Sequence, residues 1–146
     1  MADQLRQGRN HSQRNSAERS YTNRALLQAG APRCIYSDWA VTTLNPFEII
    51  GTAITREPLG SKGRVAAFFP DEVMTVAEAV QGNTVNAAAA TWRGHPTGML
   101  RPGFSADLIL LDRDIFTCDP YAVAETSVLL TLFKGRAVHR DLGFDG

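Results

Sequence analysis

Three sets of side chains in this sequence have the chemistry for catalysis: one aspartate after an apolar run, two aspartates around another, and three scattered histidines. Cys34-Ile35-Tyr36 reads as a short buried strand that stops at Ser37-Asp38-Trp39. This puts the Asp38 carboxylate at the carboxyl end of a strand, where α/β proteins gather their reacting groups. A carboxylate there has two uses: its oxygens are hard donors for a divalent cation, and it can take a proton from an attacking water and pass it to a leaving group. Without further context, such an aspartate is more often a turn or cap residue. Ser37 has no base at triad-like spacing and reads as a hydrogen-bonding turn residue. Trp39 either lines a substrate mouth or packs.

The other sets fare worse. Asp107 and Asp112 flank Leu108–Leu111; in an extended strand they point to opposite faces about 16 Å apart, so they read as structural end residues and not as a metal pair. His11, His95 and His139 lie in a polar leader, a glycine-proline loop and a terminal strand, with no His-x-His spacing. One carboxylate cannot hold a catalytic zinc, which takes about three protein ligands around an open position. The isolated chain is therefore expected to bind no metal or other cofactor tightly.

The elements that must position Asp38 are legible in part. Residues 1–16 are polar and aperiodic and read as a disordered leader. Structure is expected from Ala17, with a helix around Tyr21–Leu27 that ends at Gly30 and Pro32. Asn45-Pro46-Phe47-Glu48 carries an amide N-cap, a proline at the first helical position and an acid near the positive end of the dipole, which predicts a helix to about Arg56. Thr75 and Glu78 have capping-box spacing and predict one helix through Ala90, with Gly82 inside it. The last third predicts a β-rich tail, with strands at Leu108–Leu111 and Val128–Phe133 and a turn at Lys134-Gly135-Arg136 leading into Ala137-Val138-His139. Gly98 and Gly103 are explained by turns, with no helix start there to bind phosphate.

Composition narrows the function classes. The 146 residues carry zero formal net charge and are 44% apolar, enough for one ordinary core. No nucleic-acid partner is implied, although the first 33 residues hold six arginines against two acids. No apolar leader and no run of about 18 apolar residues is present, so neither secretion nor a membrane partner is expected. Cys34 and Cys118 lack CxxC spacing and suit a reduced, cytoplasmic location.

Set in order, the motifs resemble the C-terminal end of the amidohydrolase superfamily, in particular its amidohydrolase-3 group of metal-dependent hydrolases. They are Ala29-Gly30, Ser37-Asp38-Trp39, Asn45-Pro46, Thr55-Arg56, Phe69-Pro70-Asp71-Glu72, Thr75-Val76-Ala77-Glu78-Ala79, Thr84-Val85-Asn86-Ala87-Ala88, Gly98-Met99-Leu100, Pro102-Gly103 and Ala106-Asp107-Leu108. The match covers roughly Ala17 to Arg140. It departs from the pattern at Ala40, where a proline is usual, at Tyr36, where a glycine is usual, and at Asn83, where an aromatic is common.

The resemblance implies an α/β fold: a C-terminal fragment of a (β/α)8 barrel plus strands of a small composite β-sandwich. The division would be 1–16 leader, 17–95 last barrel strand and helices, 96–141 sandwich return strands, and 142–146 tail. It further implies hydrolysis of non-peptide carbon–nitrogen bonds in a small amide-like substrate. Asp38 would be both metal ligand and proton shuttle, and the divalent metal, zinc before iron or manganese, would be held in the intact parent by ligands outside this chain. The rival expectation is a truncated, non-catalytic module that pairs its exposed edges with another chain or forms an oligomer.

Overall fold

The computed structural model describes residues 21–91 and 96–144. Helices come first and a three-stranded antiparallel sheet last. Helix α1 is Asn23–Gln28, where a helix around Tyr21–Leu27 is expected; the start of structure expected at Ala17 lies outside the described residues, as does the leader. Helix α2 is Pro46–Thr55 and starts as its sequence demands, with the Asn45 side chain accepting a hydrogen bond from Phe47 N at 3.0 Å. It ends at Arg56, which adopts φ 57°. A short 3-10 turn, Pro70–Glu72, leads to helix α3, Val76–Asn83. Here the capping box is complete: Glu78 N donates to Thr75 Oγ1 at 3.2 Å, and Thr75 N donates to Glu78 Oε2 at 2.7 Å.

The single helix expected through Ala90 is two, because Thr84 (φ −118°, ψ −95°) leaves the helical path before helix α4, Val85–Ala90. Gly82, a weak helix former, has a packing reason to be in α3. A Cβ there would stand 3.1 Å from Arg33 O and 3.2 Å from Ile35 Cγ1, so the extended chain before Ser37 lies directly on the helix. Arg24 ties α1 to the same region, pairing with Glu78 at 2.6 Å and donating to Val73 O at 2.7 Å.

The expected β-rich tail forms. Strands β1 (Leu108–Leu111), β2 (Val128–Phe133) and β3 (Arg136–Arg140) pair in that order. Lys134 (φ 50°) and Gly135 (φ 75°) make the two-residue turn between β2 and β3, whose left-handed geometry matches the twist of a hairpin. Asp107 and Asp112 are structural, as their spacing suggests. Asp107 Oδ1 accepts from Lys134 N at 2.7 Å and Asp112 Oδ1 from Ser127 N at 3.1 Å, so the two carboxylates hold the two ends of β2.

The strand expected at Cys34–Tyr36 does not form. The backbone there is extended, but its one inter-segment backbone bond runs from Ile35 N to Gly82 O at 3.4 Å, on a helix. A strand needs a second strand to complete its ladder, and the described residues offer none at this place. The described residues thus hold helices and a three-stranded antiparallel sheet, an α/β arrangement.

The core unites the helices with the C-terminal third. Phe47, Ile50, Met74 and Ala79 are buried together with Ile115 and Val123. Contact between α2 and the 3-10 helix Pro120–Glu125 is close enough that a Cβ on Gly51 would lie 3.2 Å from Ala124 Cβ.

Candidate active-site turn

Asp38 sits in a turn, at φ 52°, a left-handed conformation that aspartate tolerates better than most residues. Two hydrogen bonds shape this turn: Val41 N donates to Asp38 O at 2.8 Å, and Thr42 Oγ1 donates to Ser37 O at 2.7 Å. Ser37 therefore acts through its backbone, in keeping with its reading as a turn residue. The Asp38 side chain is exposed. Around it in sequence stand large apolar side chains that the chain does not cover: Tyr36 is 75% exposed, Trp39 63%, Val41 75% and Leu44 68%. Trp39 is left mostly uncovered by the described residues.

Among the described residues, no three His, Cys, Asp or Glu side chains form a group able to hold a metal ion. Asp38 offers one donor where an open catalytic site takes about three. The described residues alone do not fit a catalytic metal. His11 and His95 lie outside the described residues. His139 lies on β3, its Nε2 3.2 Å from Val128 O, in a backbone contact next to the sheet.

A second carboxylate, which sequence reasoning missed, is far better partnered. Glu57 follows α2, is 9% exposed, and accepts three hydrogen bonds: from Ser61 Oγ at 2.6 Å, Gly63 N at 2.8 Å and Tyr121 OH at 2.7 Å. The Ser61 hydroxyl, and after it the Tyr121 hydroxyl, hold the Glu57 carboxyl below the usual carboxylate range. The same bond pushes the Tyr121 phenol up, since losing its proton would set two anions together. Glu57 and Tyr121 stand 64 positions apart, so no local pattern announces them. They border a shallow cavity of about 200 Å³ whose lining also includes Glu48, Lys62 and Glu125 but not Asp38. Both carboxylate oxygens of Glu57 are engaged, Oε2 closing the loop after α2 through Ser61 and Gly63 and Oε1 tying it to Tyr121 in the Pro120–Glu125 helix, which makes it a structural fastener.

Arg56 is the other buried charge. Its Nε donates to Phe68 O at 2.8 Å and its guanidinium lies 5.6 Å from the Phe68 ring centre, while burial pushes its pKa down.

Comparison with known proteins assigns the class. The amidohydrolase family model matches residues 3–139, and the chain belongs to the amidohydrolase family. It is 37% identical over 112 residues to an N-substituted formamide deformylase of Arthrobacter pascens, covering 77% of this chain and 20% of that protein. It is 32% identical over 127 residues to the protein LONG AFTER FAR-RED 3 of Arabidopsis thaliana, covering 85% of this chain and 21% of that protein. A 5-methylthioadenosine/S-adenosylhomocysteine deaminase of Symbiobacterium thermophilum is 33% identical over 98 residues, 57% of this chain and 22% of its own length. The chain thus spans about a fifth of the length of these relatives. No solved structure matches it significantly. Among the described residues, no helix is long and apolar enough to cross a membrane.

Proposed function

We propose that this chain is the C-terminal portion of a metal-dependent amidohydrolase that hydrolyses non-peptide carbon–nitrogen bonds in small amide-like molecules. The observation that carries this reading is the family match across residues 3–139. The relatives named deformylase, deaminase and imidazolonepropionase support the bond class, being hydrolases that act on carbon–nitrogen bonds. Coverage of about a fifth of those relatives supports the reading as a portion.

In the assembled enzyme, Asp38 is a ligand of the divalent metal, zinc before iron or manganese, and the remaining ligands come from polypeptide outside this chain. Asp38 is also the proton shuttle. Two features of the turn suit it to that role. Its side chain is exposed and without a hydrogen-bond partner among the described residues, so no internal donor competes for its oxygens. Its backbone is fixed on both sides, by Val41 N on its own carbonyl and by Thr42 Oγ1 on the carbonyl before it, so the carboxylate projects from a held turn. The described residues hold no complete site, and on this reading the chain alone is inactive; the two free thiols, Cys34 and Cys118, suit a cytoplasmic location.

The test is Asp38→Asn in the intact parent. Asparagine keeps the shape and one oxygen but cannot accept a proton, so kcat should fall by roughly the 10²- to 10⁴-fold attributed to a positioned acid–base group, with little change in KM. Metal content is measured alongside, so that loss of a ligand is not read as loss of proton transfer. Near-normal turnover at full metal occupancy would overturn the role given to Asp38.

A further inference from the structure

Asp38 is only as well placed as the extended stretch that leads to it. Arg33, Cys34 and Ile35 have no strand partner among the described residues, and three helices hold them instead. The Arg33 side chain reaches back to α1, where its Nη2 donates to Oδ1 of the buried Asn23 at 2.9 Å. The Arg33 carbonyl accepts from Asn86 Nδ2 of α4 at 3.0 Å. Two residues on, Ile35 N donates to Gly82 O of α3 at 3.4 Å. The break between α3 and α4 bears on these last two bonds. An unbroken helix would commit the Gly82 carbonyl to the amide of Asn86, four positions on. The path leaves helical geometry between them, at Thr84 (φ −118°, ψ −95°), and the Gly82 carbonyl accepts from Ile35. A Cβ on Gly82 would stand 3.1 Å from Arg33 O, so the oxygen that Asn86 holds from α4 is also closely approached by α3.

We infer that Asn86 is a positioning residue for Asp38: by holding Arg33 O it sets the register of the extended chain that carries the carboxylate. This rests on the role proposed above for Asp38. An extended backbone is near its full reach of about 3.3–3.6 Å per residue, so it has little slack and passes a displacement at one end to the other. The bonds from Val41 N to Asp38 O and from Thr42 Oγ1 to Ser37 O give the turn its shape. Its place relative to α3 and α4 is set earlier, at Arg33 and Ile35. Asn83, on α3, supplies the contrast. Its Nδ2 donates to Ala79 O at 3.2 Å, on its own helix, and so does nothing for the stretch that leads to Asp38.

Asn86→Asp tests this, because it keeps the shape, removes the donor, and places an acid in the first turn of α4, where a helix tolerates one. Asn86→Ala removes the donor without adding charge and should behave alike. In the full chain with Cys118→Ser, either variant should speed alkylation by iodoacetamide of Cys34, which lies between the two held residues, while Asn83→Ala should not. In the intact parent, Asn86→Asp should lower kcat by roughly 10- to 10²-fold with little change in KM, as expected for a misplacement of about 1 Å. Asp38→Asn combined with Asn86→Asp should be no slower than Asp38→Asn alone, since Asn86 acts through Asp38. Losses that multiply in the double variant would mark Asn86 as a merely structural residue and overturn the inference. So would an unchanged kcat in both Asn86 variants, or an equal loss on Asn83→Ala. Near-normal turnover of Asp38→Asn would overturn the role given to Asp38 and not the hold on Arg33, which the alkylation rate decides by itself.

Discussion

Glu57 and Asp38 are two carboxylates on two turns, and their surroundings are opposite. Glu57 is enclosed, with three donors on its oxygens, and it joins the end of α2 to a helix 64 positions away. Asp38 is exposed and ringed by uncovered apolar side chains. The region around Glu57 satisfies its carboxylate within this chain, and α2 just before it buries Phe47 and Ile50 with Ile115 and Val123. The region around Asp38 does not. A carboxylate whose every oxygen is occupied is committed to the fold, whereas a carboxylate on a fixed turn with free oxygens is available for chemistry once something covers it. The more conspicuous acid is thus the fastener, and the bare one is the candidate for catalysis.

That contrast can be broken in three places within the chain itself. The largest effect should come from Phe47→Ala, which empties a residue 4% exposed in the core and should cost about 3–5 kcal/mol, read as a lowered urea midpoint at dilute concentration. A loss below about 1 kcal/mol would mean that the α2 region is no better packed than the rest.

Glu57→Gln should cost less and should carry a pH signature. The folded carboxyl lies below its ordinary range, so its contribution is present above that range and is lost as pH falls through the folded value. The gap in urea midpoint between the two proteins should therefore be open near neutral pH and close on acidification below about 4.3, the ordinary glutamate value. A gap that persists unchanged into acid would deny that the ionised carboxylate is what holds the fastener.

The smallest effect should come from Trp39→Ser. With 63% of the residue exposed, its stability change should stay within about 0.5 kcal/mol, while self-association of the chain declines because an uncovered ring is gone. Amide exchange sharpens the same comparison: Cys34–Tyr36 should exchange far faster than Ile50–Thr55, whose amides lie in α2. A destabilisation of several kcal/mol on Trp39→Ser would show that the Asp38 region is self-supporting after all.

What the sequence determined by itself was mostly local. The start of α2 at Asn45-Pro46, the capping box of Thr75 and Glu78, the Lys134-Gly135 turn and the strands on either side of it each depend on chemistry within a few positions, so their residues announce them. The ordered motifs likewise pointed to the amidohydrolase family, because a family pattern is itself a linear record. Tertiary structure decided the rest. Cys34-Ile35-Tyr36 has the composition of a strand, yet a strand is a relation between two segments, and here the facing segment is a helix surface made accessible by Gly82. Thr84 divides a continuous helical pattern by a backbone turn that propensity does not record. Glu57 became a fastener only when folding brought Tyr121 within 2.7 Å, a pairing that no sequence spacing encodes. Asp38 was visible as a residue, but its uncovered state was not: exposure is settled by what the rest of the chain fails to reach, and that is a property of three dimensions.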